Sequence, residues 1–139
     1  MNEYRIQDLS VGMKESFSIV ITESMAEKFF EITGDKNPLH SDPEFAGKKG
    51  FPDKIVYGML TASFISTFGG EYLPGRNCLI QGLEVSFPKP VMIGDHLTVC
   101  GEIIKLYEEL KCVVIKITIR NQRGEKVLRG KLKAGVLDD

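Results

Sequence analysis

The sequence has little net charge, few cysteines and none of the common nucleotide-binding motifs. Its 18 basic and 19 acidic residues give a formal net charge of −1, which provides no field to hold nucleic acid through its phosphates. The three cysteines have no Cys-x-x-Cys spacing, and they predict buried free thiols in a reducing compartment. Gly-x-Gly-x-x-Gly, Walker and Gly-x-Ser-x-Gly motifs are absent, so nicotinamide and nucleotide-hydrolysis chemistry have no support.

Segments that would direct the chain into a membrane are also absent. The N-terminus lacks a cationic region followed by an apolar run, so we expect no secretory signal. The charge-free stretch from Ile55 to Gly70 is too short and too polar to span a bilayer, which needs about 20 mainly apolar residues. We therefore expect a cytoplasmic protein without a membrane partner.

Patterning predicts one α+β domain over residues 1–139, with no repeat or linker. Alternating side chains predict a strand near Phe17–Ile21, and apolar spacing predicts a helix from Glu23 to Ile32. The middle of the charge-free stretch, 59–68, is apolar nearly all round and predicts a buried helix that ends at Gly69-Gly70. Four later runs read as strands, at 78–87, 97–107, 110–120 and 126–137. Strands after an early buried helix predict one antiparallel sheet wrapped around that helix.

The most informative segment is the kinked loop after the first helix, Thr33-Gly34-Asp35-Lys36-Asn37-Pro38-Leu39-His40. Gly34 can adopt the left-handed conformation that ends helices, and Pro38 keeps the residue before it out of helical geometry. A turn of this kind can aim Asp35 and His40 at one point, as proton transfer to a substrate requires. Turn-forming residues and a solvated histidine are the simpler interpretation of the pair taken alone.

Gly58 is a second candidate, because it opens the buried helix. Backbone N–H groups there lack intrahelical partners, and the helix dipole favours negative charge. Without a Cβ, Gly58 lets a carbonyl oxygen approach its N–H, as an oxyanion hole requires. Close packing of helix on strand is the alternative reason for a glycine. Asp42 is predicted to cap a short helix, and no third ligand accompanies it and His40, so we predict no metal site.

The whole run Gly-Asp-x-Asn-Pro-x-His is much more specific than the pair. Together with Asp42–Ala46, Ile55–Leu60 and Phe87–Asp95 it resembles the MaoC-like (R)-specific enoyl-CoA hydratases of the hot-dog fold. The resemblance covers nearly the whole chain. It implies reversible hydration of a trans-2-enoyl thioester to the (R)-3-hydroxyacyl thioester, in fatty acid metabolism and without a metal or redox cofactor. Coenzyme A would enter only as part of the substrate, and the protein would be a homodimer whose two sheets join edge to edge.

The resemblance also implies roles for individual residues. Asp35 and His40 match the catalytic pair, and the N–H of Gly58 matches the group that polarises the thioester carbonyl. Ser66 falls where family members often place a serine near the pair, although a helical serine more often bonds its own backbone. Tyr57 departs from the family, since the usual His-Gly-Met-Leu here reads Tyr-Gly-Met-Leu.

We expect Asn37, Tyr57 and Ser66 to bind the substrate. Asn37 would brace the loop through its amide and position water. Tyr57 can pack and donate a hydrogen bond, but it cannot exchange protons near neutral pH as histidine does.

Three other functions remain open at the level of the sequence. A dehydratase acting on acyl carrier protein would use the same chemistry, and the basic group Lys48, Lys49 and Lys54 could meet an acidic carrier or the phosphates of coenzyme A. A non-catalytic module that binds acyl thioesters is compatible with Tyr57, although the intact pair argues against it. A hot-dog thioesterase would usually need a differently placed carboxylate.

Overall fold

Five antiparallel strands form one sheet in the computed structural model, which describes residues 1–137. The order across the sheet is β1-β3-β4-β5-β2, so that β1 and β2 are the edges. All four predicted later strands are present, and β-hairpins join β3 to β4 and β4 to β5. The strands are β1 (Lys14–Val20), β2 (Cys78–Ser86), β3 (His96–Tyr107), β4 (Cys112–Arg120) and β5 (Lys126–Val136).

Within residues 1–137, three α-helices and three shorter helical turns lie between or before the strands. The α-helices are α1 (Glu23–Thr33), α2 (Pro43–Lys48) and α3 (Gly58–Thr67), and the turns are Ile6–Asp8, Pro38–His40 and Phe68–Tyr72. The prediction that Gly69-Gly70 ends the helical run is wrong. The chain winds on as a π-helical turn to Tyr72, and a Cβ at Gly69 would lie 3.0 Å from the Cys78 sulfur. The glycine is therefore needed for close packing against β2.

Helix α3 packs on one face of the sheet and forms the core with it. Alternation along the strands turns their buried residues towards this helix, and the most deeply buried of these include Val99, Ile103, Ile115, Ile117, Ile119, Leu128 and Leu132. From α3, the buried apolar residues are Leu60, Ala62 and Ile65. An antiparallel sheet around a central helix is the hot-dog fold, as predicted.

The opposite face of α3 is exposed in the single chain. Met59 is 61% exposed, and Ser63, Ser66 and Thr67 are exposed as well. The expectation of a helix buried on all sides is therefore wrong for one chain, because a single sheet covers only one side of it.

The cysteines are all free, but they are not all buried. Cys112 is buried and Cys78 is half-buried, whereas Cys100 is exposed because it points outwards in the alternating pattern of β3. Within residues 1–137, no helix has the length and apolar character needed to cross a membrane.

Candidate active site

The loop that carries Asp35 and His40 begins where α1 ends. Gly34 has φ +67° and its N–H donates to the Phe30 carbonyl at 2.7 Å, so the left-handed helix end is present as predicted. The Thr33 hydroxyl accepts a hydrogen bond from the Asp35 N–H at 3.3 Å. The chain thus leaves the helix in one fixed direction at Asp35.

Side chains within the loop hold its backbone. The Asp35 carboxylate accepts the Asn37 N–H at 3.0 Å, and the Asn37 side-chain oxygen accepts the Leu39 N–H at 3.0 Å. The Asn37 carbonyl accepts the His40 N–H at 3.1 Å. Asn37 therefore braces the loop through its amide, as expected. These hydrogen-bonded turns also fix the position of the His40 backbone.

The ring of His40 is oriented by one main-chain carbonyl. Its Nδ1 lies 2.8 Å from the Ile55 oxygen, and because a carbonyl can only accept, Nδ1 carries the hydrogen in this bond. In the neutral ring the other nitrogen, Nε2, then keeps its lone pair. Nε2 is therefore the ring nitrogen whose lone pair can accept a hydrogen bond.

Tyr57 contacts both members of the predicted pair. Its ring centroid lies 4.2 Å from that of His40, and its hydroxyl donates to the main-chain oxygen of Asp35 at 3.3 Å. Phe29 packs on it, with 5.1 Å between ring centroids. Burial, and after it the charge of Asp35, raise the pKa of Tyr57 above its ordinary value of 10.0. Tyr57 therefore stays a neutral hydrogen-bond donor at neutral pH.

Gly58 is the first residue of α3. The Tyr57 carbonyl accepts the N–H groups of Leu60 and Thr61 at 3.0 and 3.3 Å, and no acceptor within residues 1–137 takes the Gly58 N–H. A Cβ at Gly58 would lie 3.4 Å from the ring of Phe87. The glycine therefore leaves its N–H accessible beside an aromatic wall.

Asp35, His40 and Gly58 line one cavity of about 250 Å³. In the described part of the chain, no hydrogen bond or ion pair joins the Asp35 carboxylate to the His40 ring. An open cleft of about 610 Å³ on the α1 side shares both residues and adds Glu23, Glu27, Glu31, Lys36 and Lys54 to its wall. The predicted pair and the predicted oxyanion donor thus face a common space.

Two predicted site residues, Asn37 and Ser66, are not brought to this space. Both are exposed, and neither lines the cavity or the cleft. The side-chain oxygen of Asn37 is engaged within the loop by the Leu39 N–H, and Ser66 lies two helical turns beyond Gly58 on α3.

Phe29 and Phe87 form aromatic walls of the cavity, and neither was predicted to be a site residue. Both were visible only as apolar residues of a helix and a strand end. Nothing local in the sequence indicates that they line the same cavity as Gly58.

The three lysines downstream of the pair, Lys48, Lys49 and Lys54, each contact a neighbouring side chain. Lys54 pairs with Glu23 at 2.5 Å and Lys48 with Glu44 at 3.5 Å. The ammonium of Lys49 lies 5.3 Å from the centre of the Phe45 ring. Two of the three lysines therefore already have a carboxylate partner.

Comparisons of the sequence with a family model and with known proteins agree on one family. The family model described as "MaoC like domain" matches residues 8–123. The (R)-specific enoyl-CoA hydratase of Aeromonas caviae is 36% identical over 124 residues, covering 89% of this chain and 92% of that protein. A mitochondrial 3-hydroxyacyl-[acyl-carrier-protein] dehydratase of Arabidopsis thaliana is 33% identical over 112 residues, covering 81% of this chain and 66% of that protein.

A solved structure agrees with these matches. The structure of an "(R)-hydratase from A. caviae involved in PHA biosynthesis" superposes with a TM-score of 0.89 and 34% identity, covering 94% of this chain and 98% of that one. The chain therefore belongs to the MaoC-like family.

Proposed function

We propose that this protein is a hydro-lyase that reversibly hydrates trans-2-enoyl-CoA to (R)-3-hydroxyacyl-CoA. The observation that carries the proposal is the cavity shared by Asp35, His40 and Gly58, whose N–H has no acceptor among residues 1–137. Membership of the MaoC-like family supports it, because the matched relatives are named hydratases and dehydratases.

In the proposed mechanism, Gly58 stabilises the charge that develops on the substrate. As water adds to C3, electron density moves to the thioester oxygen and gives it enolate character. The N–H of Gly58, at the positive end of the α3 dipole, donates to that oxygen. Removal of one such donor typically costs about 10²–10³-fold in rate.

Asp35 and His40 carry out the proton transfers. They hold one water molecule in the gap between them, and between them they take its proton as oxygen adds to C3 and deliver a proton to C2. The Nε2 of His40 carries the free lone pair for this work, since Nδ1 is engaged with the Ile55 carbonyl. Acid–base help of this kind contributes about 10²–10⁴-fold.

The three residues expected to bind the substrate have supporting or conditional roles in this proposal. Asn37 keeps the loop in place and Tyr57 supports the ring of His40. Ser66 would contribute only where a second chain or the substrate reaches its exposed face of α3. The reaction needs no metal or redox cofactor, and coenzyme A takes part only as the substrate's carrier.

Acyl carrier protein is the second candidate for the carrier. One matched relative is named for that substrate, whereas the lysines expected to meet an acidic carrier are mostly paired within the chain. The same lysines could have met the phosphates of coenzyme A, so their pairing does not separate the two carriers. We favour coenzyme A because the relative named for a coenzyme A thioester is matched over 92% of its length, against 66% for the relative named for acyl carrier protein. Turnover of one enoyl group on each carrier, at equal concentrations, separates the two.

We further propose that the working form is a homodimer joined through β2. This edge strand exposes Leu79, Ile80 and Leu83, each between 44% and 48%, and Phe87 follows it at 44%. An edge strand with apolar side chains and unpaired backbone groups is normally paired or covered. A second copy would add its own β2 there and also approach the exposed face of α3. Three free cysteines fit a cytoplasmic location for this dimer.

The test is a spectrophotometric assay of crotonyl-CoA hydration, followed by longer enoyl chains and chiral analysis of the product. We expect loss of the enoyl absorbance and formation of (R)-3-hydroxybutyryl-CoA. Release of free coenzyme A would instead indicate a thioesterase. Tight binding of enoyl thioesters without turnover of any would identify a non-catalytic module.

A further inference from the structure

The outer face of the sheet, on the side away from α3, carries an excess of positive charge. Alternation along the strands turns one set of side chains towards α3 and the other set outwards. The outward set includes two carboxylates, Glu84 and Glu102, and seven exposed basic side chains, which sum to +5 in a chain of net charge −1. The basic side chains, called the basic face below, are Lys14, Lys105, Lys116, Arg120, Arg129, Lys131 and Lys133.

Two lysines of the basic face stand directly opposite each other. Lys116 of β4 is the register partner of Lys131 of β5, and like charges in such positions destabilise a sheet. Their other neighbours across the sheet are Glu102 and Glu84, but within residues 1–137 neither carboxylate forms an ion pair with them. Glu102 lies 3.9 Å from Lys14 instead. An external anion would therefore stabilise this pair of lysines.

The positive charges are spread over an area and do not follow a line. Arg129, Lys131 and Lys133 alternate along β5 over ~13 Å. From Lys14 on β1 to Lys131 on β5 the basic face crosses three strand spacings, ~14 Å. A broad anionic surface can contact all of these side chains at once.

The residues among the cations are small and carry no aromatic ring. Ser16, Ser18, Thr98 and Thr118 lie outwards between them, and none can stack on a base, as proteins that bind single-stranded nucleic acid require. Protein interfaces usually centre on aromatic or large apolar side chains and are depleted of lysine. The basic face therefore suits a diffuse anionic surface better than either of these partners.

We propose that the basic face attaches the protein to a lipid bilayer that contains anionic phospholipids. Headgroup phosphates form a continuous negative surface, and clusters of about four to eight lysine and arginine residues are typical of proteins that bind it. The attachment leaves α3 and the cavity of Asp35, His40 and Gly58 on the other side of the sheet. The inference does not depend on the proposed function, and it departs from the sequence-based expectation of no membrane partner, which considered insertion alone.

The experiment is co-sedimentation of the full chain with vesicles at low and at physiological ionic strength. One set of vesicles contains equal parts of phosphatidylcholine and phosphatidylglycerol, and the other contains phosphatidylcholine alone. We expect binding to the anionic vesicles only, weakened by salt because ions screen exposed charges. Lys116→Gln combined with Lys131→Gln should weaken this binding about 25-fold, since each basic residue near the surface contributes about fivefold.

Controls separate the basic face from the total charge of the protein. Lys28→Gln combined with Lys48→Gln makes the same change of net charge on α1 and α2 and should bind the vesicles as wild type does. The variant of Lys116 and Lys131 should melt no lower than wild type, because it removes a pair of like charges. If it does not fold, Lys131→Gln combined with Lys133→Gln provides the same comparison.

Equal binding to both kinds of vesicle, or no binding to the anionic vesicles at low ionic strength, overturns the inference. An equal loss in the Lys28 and Lys48 control overturns it too, because total charge would then decide the binding. Duplex DNA is tested at the same ionic strengths, and tighter binding of DNA than of anionic vesicles would assign the basic face to nucleic acid instead. Turnover of crotonyl-CoA, measured without vesicles, shows separately whether the proposed function stands.

Discussion

At the scale of single residues, Tyr57 is the residue by which this site differs from the usual family pattern. The hydroxyl of Tyr57 holds the main chain of Asp35 and its ring supports His40. One side chain thus fixes the relative positions of the two groups that are proposed to share a water. Where the family usually has histidine, this chain has a buried phenol that acts through packing and one hydrogen bond.

Tyr57→Phe should leave the fold intact and lower kcat by about three- to tenfold, with little change in KM. The variant loses one neutral hydrogen bond to Asp35 but keeps the ring against His40. Steady-state kinetics with crotonyl-CoA and thermal unfolding measure the two effects.

Tyr57→His, which restores the usual family residue, serves as the companion variant and should remain an active hydratase with altered rate or chain preference. If wild type is inert towards all enoyl thioesters and Tyr57→His is active, the protein is a binding module. An unchanged kcat in Tyr57→Phe would show that the hydrogen bond to Asp35 has no positioning role.

At the scale of elements, the first turn of α3 is the part of the fold on which the oxyanion proposal depends. Within residues 1–137 its leading N–H has no hydrogen-bond acceptor, and a Cβ on the same residue would lie 3.4 Å from the ring of Phe87. The small size of Gly58 lets an oxygen approach that N–H, and the helix dipole favours negative charge on the oxygen.

Gly58→Ala should reduce kcat/KM by at least tenfold while the protein stays folded. The new methyl group would lie 3.4 Å from Phe87, an ordinary contact that fills the space a thioester oxygen needs. Gly47→Ala in α2 is the matched control, since a Cβ there meets nothing within 4 Å. Full activity of Gly58→Ala, measured with crotonyl-CoA, would show that an oxygen at this N–H does not need the space that a Cβ would fill.

The elements were largely predictable from sequence, and the contacts between them were not. Alternation of Val113, Ile115, Ile117 and Ile119 along one strand is a local signal, and it correctly predicted β4. The left-handed Gly34 was likewise readable from its neighbours.

Long-range packing explains what the sequence did not reveal. Tyr57 meets Asp35 from 22 positions away along the chain, and no local pattern encodes that contact. The π-helical turn through Gly69-Gly70 depends on the same kind of packing, because it is decided by what lies against α3.

At the scale of the whole molecule, the two edges of the sheet differ. The β1 edge alternates serine with apolar residues, whereas the β2 edge exposes Leu79, Ile80 and Leu83 beside the uncovered face of α3. The proposed dimer covers both the apolar β2 edge and the exposed face of α3, and a symmetric pair is the commonest closed assembly.

Light scattering across a dilution series should give twice the chain mass of 15.5 kDa at assay concentrations. Leu83→Lys should shift the protein towards monomer, because burial of a lysine in the dimer interface is unfavourable in free energy. Val20→Lys, on the β1 edge at 40% exposure, should leave the dimer intact. A stable, fully active monomer would contradict both the dimer and the contribution of a second chain to the site.

The central claim is that Asp35 and His40 act as a unit on one water, and a kinetic double-mutant cycle tests it most directly. Asp35→Asn keeps an oxygen for the Asn37 N–H, and His40→Gln keeps a donor, so both variants should fold as wild type. Each should lose about 10²–10⁴-fold in kcat for crotonyl-CoA, and the double variant should be no more than about threefold worse than the worse single one. Losses that multiply in the double variant, or full activity in either single variant, would contradict the account.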